Sequence, residues 1–333
     1  MGKKTLNLIG SLRKVKISIK NICHILIRIN TLILKENMLI HKSDIEKRLK
    51  ENPEPIEVTK MREHILSSFA NLEFIEEGHI YNLYNADGTV IEKIPSASTI
   101  IARYEPESDW DEIALRYALK YDLTKEQVQR MWHENNIKAT NNGSSVHLYG
   151  ENLQRFITNL KEEEICDVIK PQYEDGYLIP YGTKQDAIQK YWQDLLNIPD
   201  IYPLLPECKM YMPLGNKFGI REIFCGTADI LLAYKYKGKW SIICHDYKTN
   251  KDLTKTFHRN NNITMLQPFD NMIDEALSHY TIQLSLYSMM LENLGYDVID
   301  RRIIWLKDNG EYEKIKLPYI KEQIIQAFDI WNS

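Results

Sequence analysis

Residues 226–249 contain Gly226-Thr227-Ala228-Asp229-Ile230-Leu231-Leu232, then Lys237-Gly238, then Ile242-Ile243-Cys244-His245-Asp246-Tyr247-Lys248-Thr249. Two apolar runs, 227–236 and 239–247, separated by a two-residue break ending in glycine, predict a β-hairpin. A two-residue loop at Lys237-Gly238 fixes the register, and counting outward from it sets Asp229 opposite Asp246. Side chains alternate along a strand, so Lys248 shares that face with both carboxylates. Another turn register would shift the pairing by a residue or two, yet leave all three groups at one end of the hairpin.

Opposed carboxylates repel, a cost that a purely structural strand has nothing to offset. A divalent cation removes it: carboxylate oxygens suit Mg²⁺ or Mn²⁺, and a neighbouring lysine can orient a water and counter charge growing on a phosphate. The plainer alternative is an exposed polar hairpin end carrying an Asp–Lys ion pair.

Outward from this hairpin, a helical pattern covers Lys42 to Phe69, and a smaller hairpin covers Phe74 to Ile94, turning at Asn85-Ala86-Asp87-Gly88. Pro95 and Ser96-Ala97-Ser98-Thr99 open the next segment with helix-capping residues. Helices are predicted over 108–121, over 124–136 behind a Thr124/Gln127 capping box, and over 144–161 after Asn141-Asn142-Gly143. Further helices are predicted over 183–197, over 272–294 and from about 319, with a strand over 298–306. His147 falls at the start of a helix, with Glu151 one turn on. Gln283 and Tyr287 are likewise one turn apart. Taken singly, the histidine reads as a surface or packed residue, and the Gln–Tyr pair as the polar edge of an amphipathic helix.

Taken together and in order, four motifs resemble the PD-(D/E)XK nuclease superfamily, in its RecB-like branch of phage-type exonucleases and CRISPR-associated adaptation nucleases. They are G-x-x-x-H at Gly143–His147, G-x-x-D at Gly226–Asp229, D-Y-K-T at Asp246–Thr249 and Q-x-x-x-Y at Gln283–Tyr287. The resemblance runs from the small hairpin and the Pro95–Thr99 segment to about residue 308. It implies an α/β (α+β) fold: a restriction-endonuclease-like core whose central mixed β-sheet, with its antiparallel hairpin, is flanked by helices, with helical and hairpin elements added at the N-terminal side. It also implies that His147, Asp229, Asp246 and the backbone carbonyl of Tyr247 bind Mg²⁺ or Mn²⁺. Lys248 would then act on the attacking water beside Asp229 and Asp246, and Gln283 and Tyr287 would position the nucleic-acid strand. Glu207, in Leu205-Pro206-Glu207, and Glu151 are additional acidic candidates. The proline that often precedes the second-motif aspartate is replaced by Ala228.

Composition narrows the partners. With 44% hydrophobic and 26% charged residues among 333, the chain can bury a full core without staples. Five scattered cysteines, the last at Cys244, suggest neither a disulfide framework nor an iron–sulfur cluster. No G-x-x-x-x-G-K-[ST] loop occurs, so no nucleotide cofactor or built-in motor is expected. Residues 1–37 hold eight basic side chains against Glu36 alone, so with a net charge of -4 overall the remainder sums to -11. Nucleic acid must therefore be held by a local basic groove or by divalent metal, not by a broad positive field. The 1–37 segment reads as a poorly ordered basic extension, with Met38 as an alternative start to Met1, and 38–333 as a single nuclease domain. Its charges interrupt every apolar run before membrane-spanning length, so no membrane partner is expected.

The function these features predict is a Mg²⁺- or Mn²⁺-dependent deoxyribonuclease, an exonuclease of phage or mobile-element recombination, replication or repair. It would work in the (host) cytoplasm on double- or single-stranded DNA, with a recombinase, a single-strand-binding protein or a separate helicase as partner. The alternatives are a structure-specific or restriction-type endonuclease on the same core, and a catalytically silent nucleic-acid-binding module.

Overall fold

The computed structural model describes residues 39–158, 173–174, 177–178, 180, 182–215 and 221–331. The expectations for the basic extension and for Met38 lie outside them. The elements, in chain order, are helices α1 (Lys42–Glu51) and α2 (Ile56–Ser68), strands β1 (Leu72–Ile75), β2 (Ile80–Tyr84) and β3 (Val90–Ile91), and helices α3 (Ala97–Ala102), α4 (Trp110–Tyr121) and α5 (Lys125–Thr158). After β4 (Tyr173–Glu174) and β5 (Tyr177–Leu178) come α6 (Thr183–Leu196), β6 (Ile201–Gly215), β7 (Arg221–Tyr236), β8 (Lys239–Lys248), α7 (Thr256–Asn260), α8 (Ala276–Asn293), β9 (Val298–Leu306), β10 (Tyr312–Lys316) and α9 (Lys321–Trp331).

A five-stranded mixed sheet in the order β10-β9-β8-β7-β6 forms the centre, and a second, three-stranded antiparallel sheet, β1-β2-β3, packs against β6 and β7. Only β8 and β9 run parallel within the large sheet; its other pairs are antiparallel. The parallel pair needs a long crossover, which the 249–297 segment with α8 supplies. Both faces of the central sheet are covered, so its strands alternate between two cores rather than between core and water. Leu231, Ala233, Ile242, Cys244 and Ile303 pack with Leu284 and Leu286 of α8. Their neighbours Ile230, Leu232, Ile243 and Ile304 pack with Val146 and Leu153 of α5 and with Ile188 and Trp192 of α6. That double burial is why β8 reads as an almost unbroken apolar run.

The hairpin forms in the register predicted for it: Tyr236 pairs Lys239 and Ile230 pairs His245. Its turn takes φ of 50° at Lys237 and 82° at Gly238, the left-handed pair that matches the twist of the flanking strands. The capping residues also act as read: Thr124 and Gln127 exchange backbone-to-side-chain bonds of 2.7 and 3.2 Å, and Ser96 Oγ accepts from the Thr99 N–H.

Three expectations are corrected. Helices 124–136 and 144–161 are one 34-residue helix, α5, that runs through Asn141-Asn142-Gly143. The propensity cost there, about 1 kcal/mol for the glycine and less for each asparagine, is smaller than that of opening a break with uncapped ends. The helical pattern over Lys42–Phe69 is two helices, because Pro53 and Pro55 interrupt it. Strand β6 was not predicted, since Pro203, Pro206 and Pro213 argue against a strand; it lies at the sheet edge, where a missing N–H is tolerated. Among the described residues no helix is long and apolar enough to cross a membrane.

Candidate active site

Each site residue sits where one element meets another. Asp229 and Asp246 lie one step beyond the last pair of the hairpin ladder, Ile230 with His245, so the register carries them opposite one another. The pairs on either side of Asp229 on the other edge, Pro206 with Ile230 and Cys208 with Ala228, bring Glu207 across from it. Glu207 takes a φ of 41° there, a left-handed backbone that a side-chain-bearing residue keeps only when its surroundings enforce it. His147 enters from α5, and Gln283 and Tyr287 from α8.

One Asp229 carboxylate oxygen, Oδ2, accepts from the Tyr247 N–H at 2.7 Å and lies 3.0 Å from His147 Nδ1. Ligand atoms of His147, Glu207 and Asp229 all fall within 4.8 Å of one another. Asp246 stands beside this trio and pairs through its Oδ2 with Lys248 Nζ. With side-chain exposures of 1% and 13%, that pair is buried, so an exposed polar hairpin end does not describe it. The Lys248 ammonium also sits 4.4 Å from the centre of the Tyr280 ring, whose hydroxyl donates to Asn250 Oδ1 at 2.7 Å. Glu151 is turned to Arg155, one turn on along α5, at 2.9 Å, and is not in the trio. Gln283 Nε2 donates to the Tyr287 hydroxyl at 2.8 Å, so the two act as one unit.

Two glycines make room for aromatic rings at the site. A Cβ on Gly226 would meet Tyr287 Cε1 at 2.4 Å, and one on Gly150 would meet Tyr247 Cε2 at 2.5 Å. The Tyr247 ring is buried and its hydroxyl accepts from Trp192 Nε1 at 2.8 Å, which anchors the end of β8 to α6.

The electrostatics are those of carboxylates and cations crowded together out of water. Burial and the nearby Asp229 carboxylate push Glu207 well above the usual carboxylate range. Burial and Asp229 likewise raise Asp246, to about 6, against the pull of Lys248. Burial would lower His147, but the charge of Asp229 and its hydrogen bond, with Glu207 adding to them, raise it to about 9. For Asp229, burial is outweighed by His147, by Lys248 and by the Tyr247 N–H, and its pKa falls. Lys248 is desolvated, yet Asp246 and Asp229 hold it firmly protonated.

An imidazole and two carboxylates converging on one point form an oxygen-rich donor set with one nitrogen, which fits Mn²⁺ or Mg²⁺. A cation there would reverse the local pKa logic and remove the repulsion. Sequence reasoning placed Glu207 at the margin, whereas it lies in the trio; Asp246 lies beside the trio, paired to Lys248. Tyr280 was missed, although its spacing to Gln283 and Tyr287, three and seven residues on one helix, puts all three on a common face. Compared with known proteins, the chain matches no protein-family model and no curated protein.

Proposed function

We propose that this protein is a metal-dependent DNA nuclease of the PD-(D/E)XK type, in its RecB-like branch, that acts as an exonuclease in phage or mobile-element DNA recombination, replication or repair. The observation that carries the proposal is the meeting of His147, Glu207 and Asp229 within 4.8 Å beside a buried Asp246–Lys248 pair. Three carboxylates brought this close with only His147 and Lys248 beside them leave a donor set that a cation and a phosphate can use.

His147, Glu207 and Asp229 would hold Mg²⁺ or Mn²⁺, with Asp246 and the Tyr247 carbonyl completing the set as the resemblance implies. When bound, such an ion supplies Lewis acidity toward a phosphate oxygen and lowers the pKa of a water. Lys248, fixed between Asp246 and the Tyr280 ring, stays cationic; it orients the attacking water and counters the charge that grows on the phosphate as one P–O bond forms and another breaks. Tyr247 contributes its N–H to Asp229 and so keeps one carboxylate oxygen oriented. Gln283, held through its Nε2 by the hydroxyl of the buried Tyr287, would fix the position of the DNA strand.

Incubation with Mg²⁺ or Mn²⁺ of linear DNA and of the same DNA as a covalently closed circle tests the proposal. Loss of the linear form with the circle intact is the expected result. Cleavage of the circle would replace the exonuclease reading by an endonuclease one, and no cleavage of either form at saturating metal overturns the nuclease reading.

A further inference from the structure

The small sheet, α3 and the start of β7 line a cleft of about 550 Å³, within the range of a ligand site. One side chain of its wall reaches the strand that carries Asp229. Tyr81, on β2, lines the cleft, and its hydroxyl bonds Thr227 Oγ1 at 2.9 Å, two residues before Asp229 on β7. Glu207 contributes to the electrostatic surroundings of Tyr81, and Tyr81 to those of Tyr287. The wall is tied to the central sheet: the Cys225 N–H donates to the Pro95 carbonyl at 3.0 Å.

The cleft differs in charge from the rest of the molecule. Lys93 and Arg103 line it against one acid, Glu92, in a chain whose residues 38–333 carry a net charge of -11. His79 ends the turn between β1 and β2 and Lys93 lies in a bend after β3, both in left-handed backbone, φ 54° and 55°. His79 is exposed, and Phe74 and Tyr81 meet its ring edge-on, with centroids 4.8 and 5.9 Å away. Such an arrangement steadies a ring on which a base can stack. Ile91, also in the lining and 40% exposed, offers apolar surface that suits an unpaired base and gives nothing to a duplex, whose bases are hidden.

We infer that this cleft is a binding site for single-stranded nucleic acid: it takes the unpaired segment of the strand that adjoins the scissile phosphate, with Lys93 and Arg103 on phosphates and His79 under a base. The inference rests on the nuclease reading for its direction, since it extends that site along its substrate. It supplies the local basic groove that an acidic nuclease body needs.

Fluorescence anisotropy with a labelled oligo-dT, the full chain and Ca²⁺ in place of Mg²⁺ tests it. The variant Lys93→Gly/Arg103→Ala is expected to bind about tenfold more weakly near 0.1 M salt, and the slope of log K against log salt to fall by about 1.4, or about 0.7 for each phosphate no longer neutralised. Lys93→Gly/Arg103→Lys recovers half of that change, about 0.7. His79→Ala weakens binding with the slope unchanged, and His79→Trp recovers it, because the ring supplies stacking and not charge. Lys50→Ala, on α1 outside the cleft, behaves as wild type. If the double variant does not fold, Lys93→Gly alone carries the test, since glycine is at ease at that φ, with half the slope change. Wild-type affinity and slope in the cleft variants overturn the inference while leaving intact a nuclease reading supported by cleavage of linear DNA. A wild-type chain that neither binds nor cuts DNA overturns both.

Discussion

At the residue scale, the division of labour between the two aspartates and the lysine sets what substitutions do. Asp229 touches two groups of the site and Asp246 holds Lys248, so Asp229→Ala, Asp246→Ala and Lys248→Ala should each drop cleavage to the assay floor while the chain stays folded. A wild-type rate in any of them at saturating Mg²⁺, with folding checked by circular dichroism, would break the assignment. His147→Ala should act differently, because a neutral imidazole adds affinity but less charge than a carboxylate. Its activity should fall strongly in Mg²⁺ and recover in part at high Mn²⁺, which favours nitrogen ligands more; an unchanged metal dependence would return His147 to a packing role. Tyr280 makes a sharper case, since a cation over a desolvated ring face gains about 2 kcal/mol and the ring also fixes where the ammonium points. Tyr280→Phe keeps the face and should cleave within about threefold of wild type, whereas Tyr280→Leu should lose about one to two orders of magnitude in kcat with KM for DNA little changed. A loss shared equally by the Phe variant would place the role in the hydroxyl and its bond to Asn250.

At the level of elements, close approaches of glycine backbone to rings tie strands to helices. On β7, Gly226 lets Tyr287 of α8 lie against the strand at a distance no Cβ allows, so Gly226→Ala should cost about 1–3 kcal/mol by overpacking and move the Gln283–Tyr287 unit. Thermal denaturation should show that cost recovered in Gly226→Ala/Tyr287→Leu, while cleavage stays low; stability and rate recovering together would mean that the tyrosine only packs. The same elements show what a sequence discloses and what it withholds. The hairpin was legible to the residue because a two-residue turn with glycine second leaves little freedom of register, and the capping box because its bonds are local. Strand β6 was not legible: its prolines speak against a strand until its place at the edge is known, and that place is a property of the whole sheet. Helix α5 was cut in two because Asn141-Asn142-Gly143 is a local stop signal that costs less than the tertiary packing of the second half returns. Asp229, Asp246, Lys248 and His147 stood out as residue types in recurring spacings, but the convergence of Glu207 depends on a strand the sequence hid, and that of Tyr280 on a helix face that only the sheet defines.

For the molecule as a whole, the site is a point where function and stability oppose each other, and the opposition has a sign in pH. Asp246, raised to about 6, and Glu207, raised further, bind protons more tightly in the folded chain than in the unfolded one. Without metal, each therefore takes away stability as pH rises from the ordinary carboxylate range through its folded value. His147 acts in the same direction higher up: its contribution is complete below about pH 6.5, the unfolded value, and is lost as pH rises through about 9. Asp229, whose pKa is lowered, contributes stability above the ordinary carboxylate range and gives it up only in acid, so it does not offset the loss at high pH. In EDTA the melting temperature should thus decline between pH 6 and 9 more steeply than in saturating Mn²⁺, since the ion replaces the protons that the cluster otherwise holds. Glu207→Gln is the control that isolates the cause. It removes one of the repelling charges, so in EDTA near pH 8 it should melt higher than wild type, by about 2–4 °C for each kcal/mol relieved, with a flatter pH dependence and a smaller gain from Mn²⁺. Scanning fluorimetry over that pH range, with and without the ion, reads all of these at once. Parallel wild-type curves in EDTA and Mn²⁺, or a Glu207→Gln chain that melts lower than wild type without metal, would mean that the cluster is already neutralised inside the protein and has no need of a cation.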